Sequence, residues 1–178
     1  IKFKIFRSKV EKNLVLLGMM AVGKTTLGKI VAKKQKLEFI DIDSNIEKKN
    51  SMTIVEIFEK KGEKFFREEE EKEVLESMEK KNCVIALGGG AFVNKIIREN
   101  VLKNAISIWL TLDIETLIKR TQWNEQRPLL NKVSNKKRLN ELFEERKNFY
   151  KLANHKIVCD ELSRNDIVEK IMTLYAKY

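Results

Sequence analysis

The stretch NLVLLGMMAVGKTTLGKIVAKK, residues 13–34, decides the fold. An apolar run ends at Gly18, a short loop follows, and a lysine-rich helical pattern begins at Lys24. Gly18, Gly23, Lys24 and Thr25 satisfy the pattern G-x-x-x-x-G-K-[ST]. In this pattern the glycines let successive backbone N–H groups point into one cavity, and the following helix adds its positive N-terminal end. The stretch therefore predicts a loop that holds the phosphates of a nucleoside triphosphate.

The residues of this loop have distinct expected roles. Lys24 is expected to reach the β- and γ-phosphates, and the Thr25 hydroxyl to ligate Mg²⁺, the predicted cofactor. An ordinary glycine turn before a helix is the alternative, but the match follows a strand pattern and opens a helix pattern, which favours the phosphate loop. The residues predicted to bind the nucleotide here are Ala21, Val22, Gly23, Lys24, Thr25 and Thr26.

Short β-rich runs alternate with amphipathic helical patterns along the rest of the chain. The predicted strands are 13–17, 38–42, 83–87, 105–110 and 155–159. The predicted helices are 24–36, 44–50, 53–61, 63–80, 94–103, 113–122, 136–152 and 165–177. Apolar strands separated by helices indicate a parallel sheet covered on both faces. We therefore predict one three-layer α/β domain of the P-loop NTPase type over residues 1–178, with a five-stranded parallel sheet flanked by helices and a mobile lid.

The composition limits the classes of partner. The chain has 178 residues and a formal charge of +10, from 36 basic and 26 acidic residues. The lysines are scattered and are not interleaved with aromatic residues as a base-stacking surface requires, so nucleic acid is not an expected partner. No apolar run approaches the roughly 18 residues of a membrane span, and residues 1–12 form a basic arm without a signal-peptide core. We expect a cytoplasmic protein, with Cys83 and Cys159 as buried thiols.

Two aspartates end the second predicted strand. Asp41 and Asp43 are two residues apart and are therefore expected on the same side of that strand. One can serve magnesium through water, while the other faces an acceptor hydroxyl and takes its proton as phosphate leaves ATP. A helix cap is the alternative interpretation, because Asp43 and Ser44 precede a helical pattern.

Glycines and arginines supply the remaining candidate groups. Gly88, Gly89 and Gly90 close the third strand, where backbone can approach a small ligand with no side chain in the way. Arg127 lies beside Pro128 in a polar segment suited to a flap over phosphates. For the helix arginines Arg67 and Arg146, an exposed, salt-bridged position is the default interpretation.

Six motifs in this order resemble the shikimate kinase family. They are GMMAVGKTT (18–26), FIDID (39–43), FFR (65–67), ALGGGA (86–91), RPLL (127–130) and ERKNFY (145–150). The resemblance extends from about residue 13 to about residue 160. It implies ATP-dependent phosphorylation of the 3-hydroxyl of shikimate, giving shikimate 3-phosphate and ADP, in the chorismate and aromatic amino-acid pathway.

The resemblance also implies roles for individual residues. Asp43 would hold the shikimate hydroxyls and act as the base, and Asp41 would help to place magnesium through water. Arg67 and Arg146 would bind the shikimate carboxylate, and Gly89 would present its backbone N–H. On the nucleotide side, Arg127 would reach the ATP phosphates from a lid at about 121–136, with Arg120 and, less firmly, Arg164 near adenine. Residues 44–80 would form the substrate-binding helices, and the enzyme is expected to be a monomer.

The sequence departs from the family pattern at one place, and three alternative functions remain open. The family usually has a third glycine inside the loop, whereas this chain has Ala21 and Val22. If the glycine adopts a positive φ, Ala21 would cost roughly 1 kcal/mol in the same conformation. The alternatives are a kinase for another polyol acid such as gluconate, a non-catalytic nucleotide-binding switch, and a nucleic-acid binder that uses the +10 charge.

Overall fold

Five parallel strands form the sheet of this protein, whose computed structural model describes residues 12–122 and 135–178. The strands are β1 (Asn13–Leu17), β2 (Glu38–Asp41), β3 (Cys83–Ala86), β4 (Ala105–Thr111) and β5 (His155–Val158), in the spatial order β2-β3-β1-β4-β5. The prediction of a five-stranded parallel sheet flanked by helices is confirmed.

The central position of β1 explains its apolar sequence. All five of its residues are buried, because strands inside a parallel sheet are covered on both faces. Leu14 pairs with Val84 of β3 on one side and with Ile106 of β4 on the other. Since the strands run parallel, the segments that leave the ends of β1, β2 and β3 emerge at the same edge of the sheet, where ligands of such folds bind.

Seven α-helices and one short 3-10 helix connect or flank the strands in the described ranges. They are α1 (Lys24–Gln35), α2 (Ile42–Asn50), α3 (Ile54–Glu79), the 3-10 helix Ala91–Val93, α4 (Lys95–Asn104), α5 (Ile114–Gln122), α6 (Asn135–Tyr150) and α7 (Arg164–Tyr175). Helix α1 packs against α7, and α3 packs against α4. Capping boxes at Thr53 and Ser163 satisfy the first N–H groups of α3 and α7 and fix where these helices begin.

Helix α3 contains a break at Gly62. The sequence predicts two separate helices here, 53–61 and 63–80. Gly62 has φ 84° and ψ 167°, which is not helical. A methyl group at this position would meet no other atom within 4 Å, so the backbone conformation and not crowding makes glycine suitable here. The break separates the start of α3 from the part that carries Arg67.

The core contains an aromatic residue and both cysteines, and the cysteines are buried thiols as predicted. Trp109 is 3% exposed and belongs to the core, and Cys83 and Cys159 are buried free thiols. His155 begins β5 and is half-buried. None of the helices within 12–122 and 135–178 combines the length and the apolar composition that crossing a membrane demands.

Candidate active site

The predicted phosphate loop connects β1 to α1 at the edge of the sheet. Gly23, with φ 107°, is the N-cap of α1, so the loop leads directly into the positive end of that helix. The Lys24 ammonium donates to the carbonyl oxygens of Gly18 and Met19, both at 2.9 Å. The side chain of Val22 is buried in the core. The loop therefore places an ammonium group next to a helix N-terminus.

Ala21 has a left-handed backbone, with φ 61°. This conformation costs a non-glycine residue roughly 1–2 kcal/mol, while the greater freedom of an unfolded glycine offsets roughly 0.5–1 kcal/mol of any gain. Ala21→Gly is therefore expected to stabilise the protein by about 1 kcal/mol and to raise Tm by roughly 2–4 °C for a chain of this length. Thermal unfolding followed by circular dichroism measures the shift.

A matched control uses the same substitution on a right-handed backbone. Ala176 is exposed and has φ −69°. Ala176→Gly relieves no strain there and only increases the conformational entropy of the unfolded chain, so it is expected to lower Tm. If Ala21→Gly lowered Tm as Ala176→Gly does, the backbone of Ala21 would not be strained.

Asp41 and Asp43 lie at the junction of β2 and α2, but not as the sequence predicted. Asp41 is the N-cap of α2, where its Oδ1 accepts the Ser44 N–H at 3.1 Å and its Oδ2 accepts the Thr25 hydroxyl at 2.6 Å. Helix α2 begins at Ile42, so Asp43 lies in the first helical turn. The prediction that both carboxylates share one side of a strand is wrong. The cap exists at Asp41, which nevertheless contacts the loop through Thr25.

The glycine triplet brings the predicted acidic group next to the sheet edge. A methyl group at Gly88 would lie 2.8 Å from Asp43 Oδ1 and 2.4 Å from Glu70 Oε1. Carbon atoms do not approach oxygen this closely, so the absence of a side chain at Gly88 is what allows both carboxylates to reach the backbone. Asp43 and Glu70 thus lie on the same side of the triplet.

The other two glycines bring the arginines and the phosphate loop together. A methyl group at Gly89 would lie 3.4 Å from both Arg146 Nη1 and the backbone nitrogen of Met20. A methyl group at Gly90 would lie 2.7 Å from Arg67 Nη1. Groups from α3, α6 and the phosphate loop, far apart in sequence, therefore converge on three consecutive residues.

Glu70 is a site residue that the motif analysis did not identify. It is 1% exposed, and its Oε2 accepts from Arg67 Nη1 at 2.7 Å. Burial raises the pKa of Glu70 to about 7, assisted by the nearby charge of Asp43 and opposed by Arg67 and Arg146. The available signal was its spacing: Glu70 follows Arg67 by three residues and so lies on the same helix face.

The two arginines differ in how much of the guanidinium is engaged by other side chains. The Arg67 side chain is 30% exposed and forms ion pairs with Glu63 at 3.2 Å and with Glu70 at 2.7 Å. Arg146 is 6% exposed, so the surface interpretation of this residue is wrong. Arg146 is a buried cation that faces the triplet, whereas Arg67 is shared between acids and the site.

Tyr150 is the second residue that the motif analysis did not assign to the site. Its hydroxyl donates to the carbonyl oxygen of Gly89 and lies 3.6 Å from the Sδ atom of Met19 in the phosphate loop. The signal was again spacing, since Tyr150 follows Arg146 by four residues at the end of α6.

The nucleotide-side arginines are only partly described. Arg120 lies on α5, and its Nη1 donates to the carbonyl oxygen of Ala21 at 3.4 Å, which brings it to the phosphate loop. Arg164 is the exposed first residue of α7. Arg127 and most of the predicted lid at 121–136 lie outside the described residues.

The site has groups for two different chemical tasks. On one side, an ammonium group, a hydroxyl and a helix N-terminus suit the phosphates of a nucleotide. On the other side, two guanidinium groups and two carboxylates surround the backbone of the glycine triplet, which suits a small acid that carries hydroxyl groups. Such a pair of subsites fits transfer of a phosphoryl group from a nucleotide to a hydroxyl.

Comparison with known proteins identifies the family. The family model described as shikimate kinase matches residues 20–176. Shikimate kinase from Sulfurihydrogenibium sp. (strain YO3AOP1) is 41% identical over 162 residues, which are 91% of this chain and 96% of that protein. Shikimate kinase from Bacillus subtilis (strain 168) is 43% identical over 164 residues, 91% of this chain and 88% of that protein.

The fold agrees with a solved structure at similar coverage. The structure of shikimate kinase from Acinetobacter baumannii in complex with shikimate has a TM-score of 0.90 and 34% identity, covering 94% of each chain. Sequence and fold therefore agree, and the chain belongs to the shikimate kinase family.

Proposed function

We propose that this protein transfers the γ-phosphoryl group of ATP to the 3-hydroxyl of shikimate, giving shikimate 3-phosphate and ADP for the synthesis of chorismate and aromatic amino acids. The observation that carries the proposal is the glycine triplet, which lies beside the phosphate loop and within contact of Asp43, Arg67 and Arg146. Membership of the shikimate kinase family supports the same reaction.

The acceptor subsite complements a small carboxylic acid with neighbouring hydroxyl groups. Arg67 and Arg146 bind the carboxylate, because a guanidinium matches a carboxylate with two parallel hydrogen bonds. Gly89 donates its backbone N–H to the substrate. Asp43 accepts hydrogen bonds from hydroxyls and takes the proton of the reacting hydroxyl as the phosphoryl group is transferred.

On the nucleotide side, the loop N–H groups and Lys24 bind the phosphates and neutralise charge on the transferred group. Arg120 lies near adenine, and Arg127, from the segment 121–136, adds a further positive charge over the phosphates. The roles of Arg127 and of that segment as a lid rest on the RPLL motif alone.

Thr25 and Asp41 form a pair of oxygen ligands that fits Mg²⁺. Their side-chain oxygens lie 2.6 Å apart at the start of α1, next to the phosphate loop. Mg²⁺ prefers oxygen ligands and commonly keeps several waters while binding one or two protein groups and the phosphates of a nucleotide. Thr25 would hold the ion directly and Asp41 through water, and the bound ion would reduce the negative charge of the phosphates.

We propose two small molecules, ATP and shikimate, as the partners of a monomeric cytoplasmic enzyme, with no nucleic acid involved. Light scattering after size exclusion tests the monomer. A gel-shift assay at low salt tests nucleic-acid binding, because binding through the +10 charge would depend steeply on salt concentration.

The test of the reaction is a coupled ADP-release assay with shikimate, quinate and gluconate as acceptors. ADP release that depends on shikimate, with kcat/KM about 100-fold or more above gluconate, is expected because a site with paired arginines and a fixed glycine N–H rejects a mismatched acid. A preference for gluconate would instead favour the alternative polyol-acid kinase. ADP release independent of any acceptor would contradict the proposal.

The pH dependence of shikimate binding is expected to follow Glu70. Below its pKa of about 7, neutral Glu70 leaves the charge of Arg67 available to the substrate carboxylate. Above this pH, ionised Glu70 competes for the guanidinium and repels the substrate, so KM for shikimate is expected to rise about threefold to tenfold between pH 6 and 8. Glu70→Gln is expected to flatten this profile.

The matched control is Glu63→Gln, since Glu63 also accepts from Arg67 but is exposed. It is expected to keep the wild-type pH profile of KM.

The pH dependence of stability gives a second measurement. Because the folded pKa of Glu70 is raised, its stabilising contribution is complete below about pH 4.5 and is lost as pH rises through about 7. As pH rises from 5 to 8, the free energy of unfolding of Glu70→Gln is therefore expected to increase relative to that of wild type. A difference between the two free energies that stays constant over this range would contradict the raised pKa.

A further inference from the structure

The backbone of the glycine triplet is intrinsically flexible, but each of its three carbonyl oxygens accepts a hydrogen bond. Glycine has more accessible backbone conformations than any other residue, so three in a row need external constraints to hold one shape. The carbonyl oxygen of Gly88 accepts the Ala91 N–H at 3.1 Å, and that of Gly90 accepts the Val93 N–H at 3.1 Å. These two bonds belong to the local turn. The middle carbonyl, of Gly89, is held by the side chain of Tyr150 from α6.

The Tyr150 side chain is buried, and its hydroxyl remains a hydrogen-bond donor. It is the last residue of α6, is 1% exposed, and its ring packs against Trp109 with 5.8 Å between the ring centres. Burial raises the pKa of Tyr150 to about 12, with the Arg146 guanidinium acting in the opposite direction. The hydroxyl therefore keeps its proton, and the bond to Gly89, at neutral pH.

The same hydroxyl joins three parts of the site. Arg146 lies one turn before Tyr150 on α6, and its Nη1 would be 3.4 Å from a methyl group at Gly89. The hydroxyl also contacts Met19, whose carbonyl oxygen accepts from Lys24 in the phosphate loop. The position of Arg146 relative to the Gly89 backbone thus depends on a bond between their own two segments.

We propose that Tyr150 is a positioning residue for the acceptor subsite: it holds the Gly89 peptide at a fixed distance from Arg146, so that the backbone N–H and the guanidinium bind one small acid together. The inference rests on the proposed function and extends it. Binding groups that must hold the same molecule lose effect when their spacing varies, even if each group remains present. Tyr150 touches neither substrate in this role.

The test compares two phenylalanine variants of buried tyrosines. Tyr150→Phe removes the bond to Gly89, and Tyr175→Phe removes a similar bond from a buried hydroxyl to the carbonyl oxygen of Lys12 at 2.8 Å. Tyr150→Phe also loses the contacts of the hydroxyl with Met19 and Arg146, so its Tm is expected to decrease at least as much as that of Tyr175→Phe. Tyr150→Phe is expected to raise KM for shikimate about fivefold, which at 1.36 kcal/mol per tenfold is about 1 kcal/mol, with KM for ATP within about twofold.

Hydrogen exchange gives a measurement that needs no turnover. Amides of residues 88–93 are expected to exchange faster in Tyr150→Phe than in wild type or Tyr175→Phe. An active wild-type enzyme whose Tyr150→Phe variant keeps its KM for shikimate, or equal KM increases in both variants, would overturn the inference alone. Unchanged exchange would overturn it as well. A wild-type protein inactive on shikimate would overturn the proposed function and this inference with it.

Discussion

Asp43→Asn is expected to lower kcat with shikimate about 1000-fold while the affinity for Mg–ATP stays within about twofold, because a positioned general base contributes roughly 10²–10⁴ in rate. Asparagine has the size of aspartate and can still contact Gly88, but it cannot take the proton of the reacting hydroxyl. Steady-state ADP release gives kcat, and fluorescence or calorimetric titration with Mg–ATP gives the affinity.

Asp41→Asn supplies the matched comparison from the same junction. Asp41 contacts Thr25, so its replacement is expected to weaken Mg–ATP binding, with a smaller loss of kcat at saturating nucleotide. Asp41 also caps α2, and because asparagine caps a helix as well as aspartate does, Tm is expected to stay close to that of wild type. The two variants thus separate the acceptor side from the nucleotide side. If Asp43→Asn kept wild-type turnover, Asp43 would not be the base, and a non-catalytic nucleotide-binding role would gain support.

The sequence predicted the sheet well because apolar strand patterns carry a strong signal. The boundary between β2 and α2 was mispredicted for a local reason. The apolar–acidic alternation of FIDID continues the strand pattern through Ile42, but the Asp41 side chain accepts the Ser44 N–H and starts the helix at Ile42. Such a cap depends on the path of the chain beyond the strand, which a periodicity of two residues does not contain.

The motifs predicted the groups that meet at the triplet, but not those that support them. Four glutamates occupy residues 68–71, and two of them, Glu70 and Glu71, lie on the helix face of Arg67. Only burial against Gly88 distinguishes Glu70 from Glu71. Tyr150 contacts a carbonyl 61 residues away in sequence. Partners of this kind follow from the packing of α3 and α6 on the sheet edge, which no local pattern records.

Arg146→Lys is expected to lower kcat/KM for shikimate about 100-fold, mainly through KM, since a buried charge-assisted pair contributes about 1.5–3 kcal/mol and lysine cannot form two parallel bonds to a carboxylate. Arg67→Lys is expected to lose only about tenfold. The Arg67 guanidinium is also engaged by Glu63 and Glu70, so a smaller part of it remains for the substrate. Both measurements use ADP release over a range of shikimate concentrations, with ATP saturating.

Arg138→Lys on the same helix as Arg146 controls for general effects of the substitution. Arg138 is more exposed and pairs with Glu141 at 3.3 Å, so its variant is expected to keep wild-type kinetics. The informative result is which of the two site variants loses more kcat/KM for shikimate, because the expected order follows from the burial and the acid partners of each guanidinium. A larger loss in Arg67→Lys than in Arg146→Lys would mean that the substrate displaces Glu63 and Glu70 from Arg67 on binding, and that Arg67 is the main carboxylate ligand.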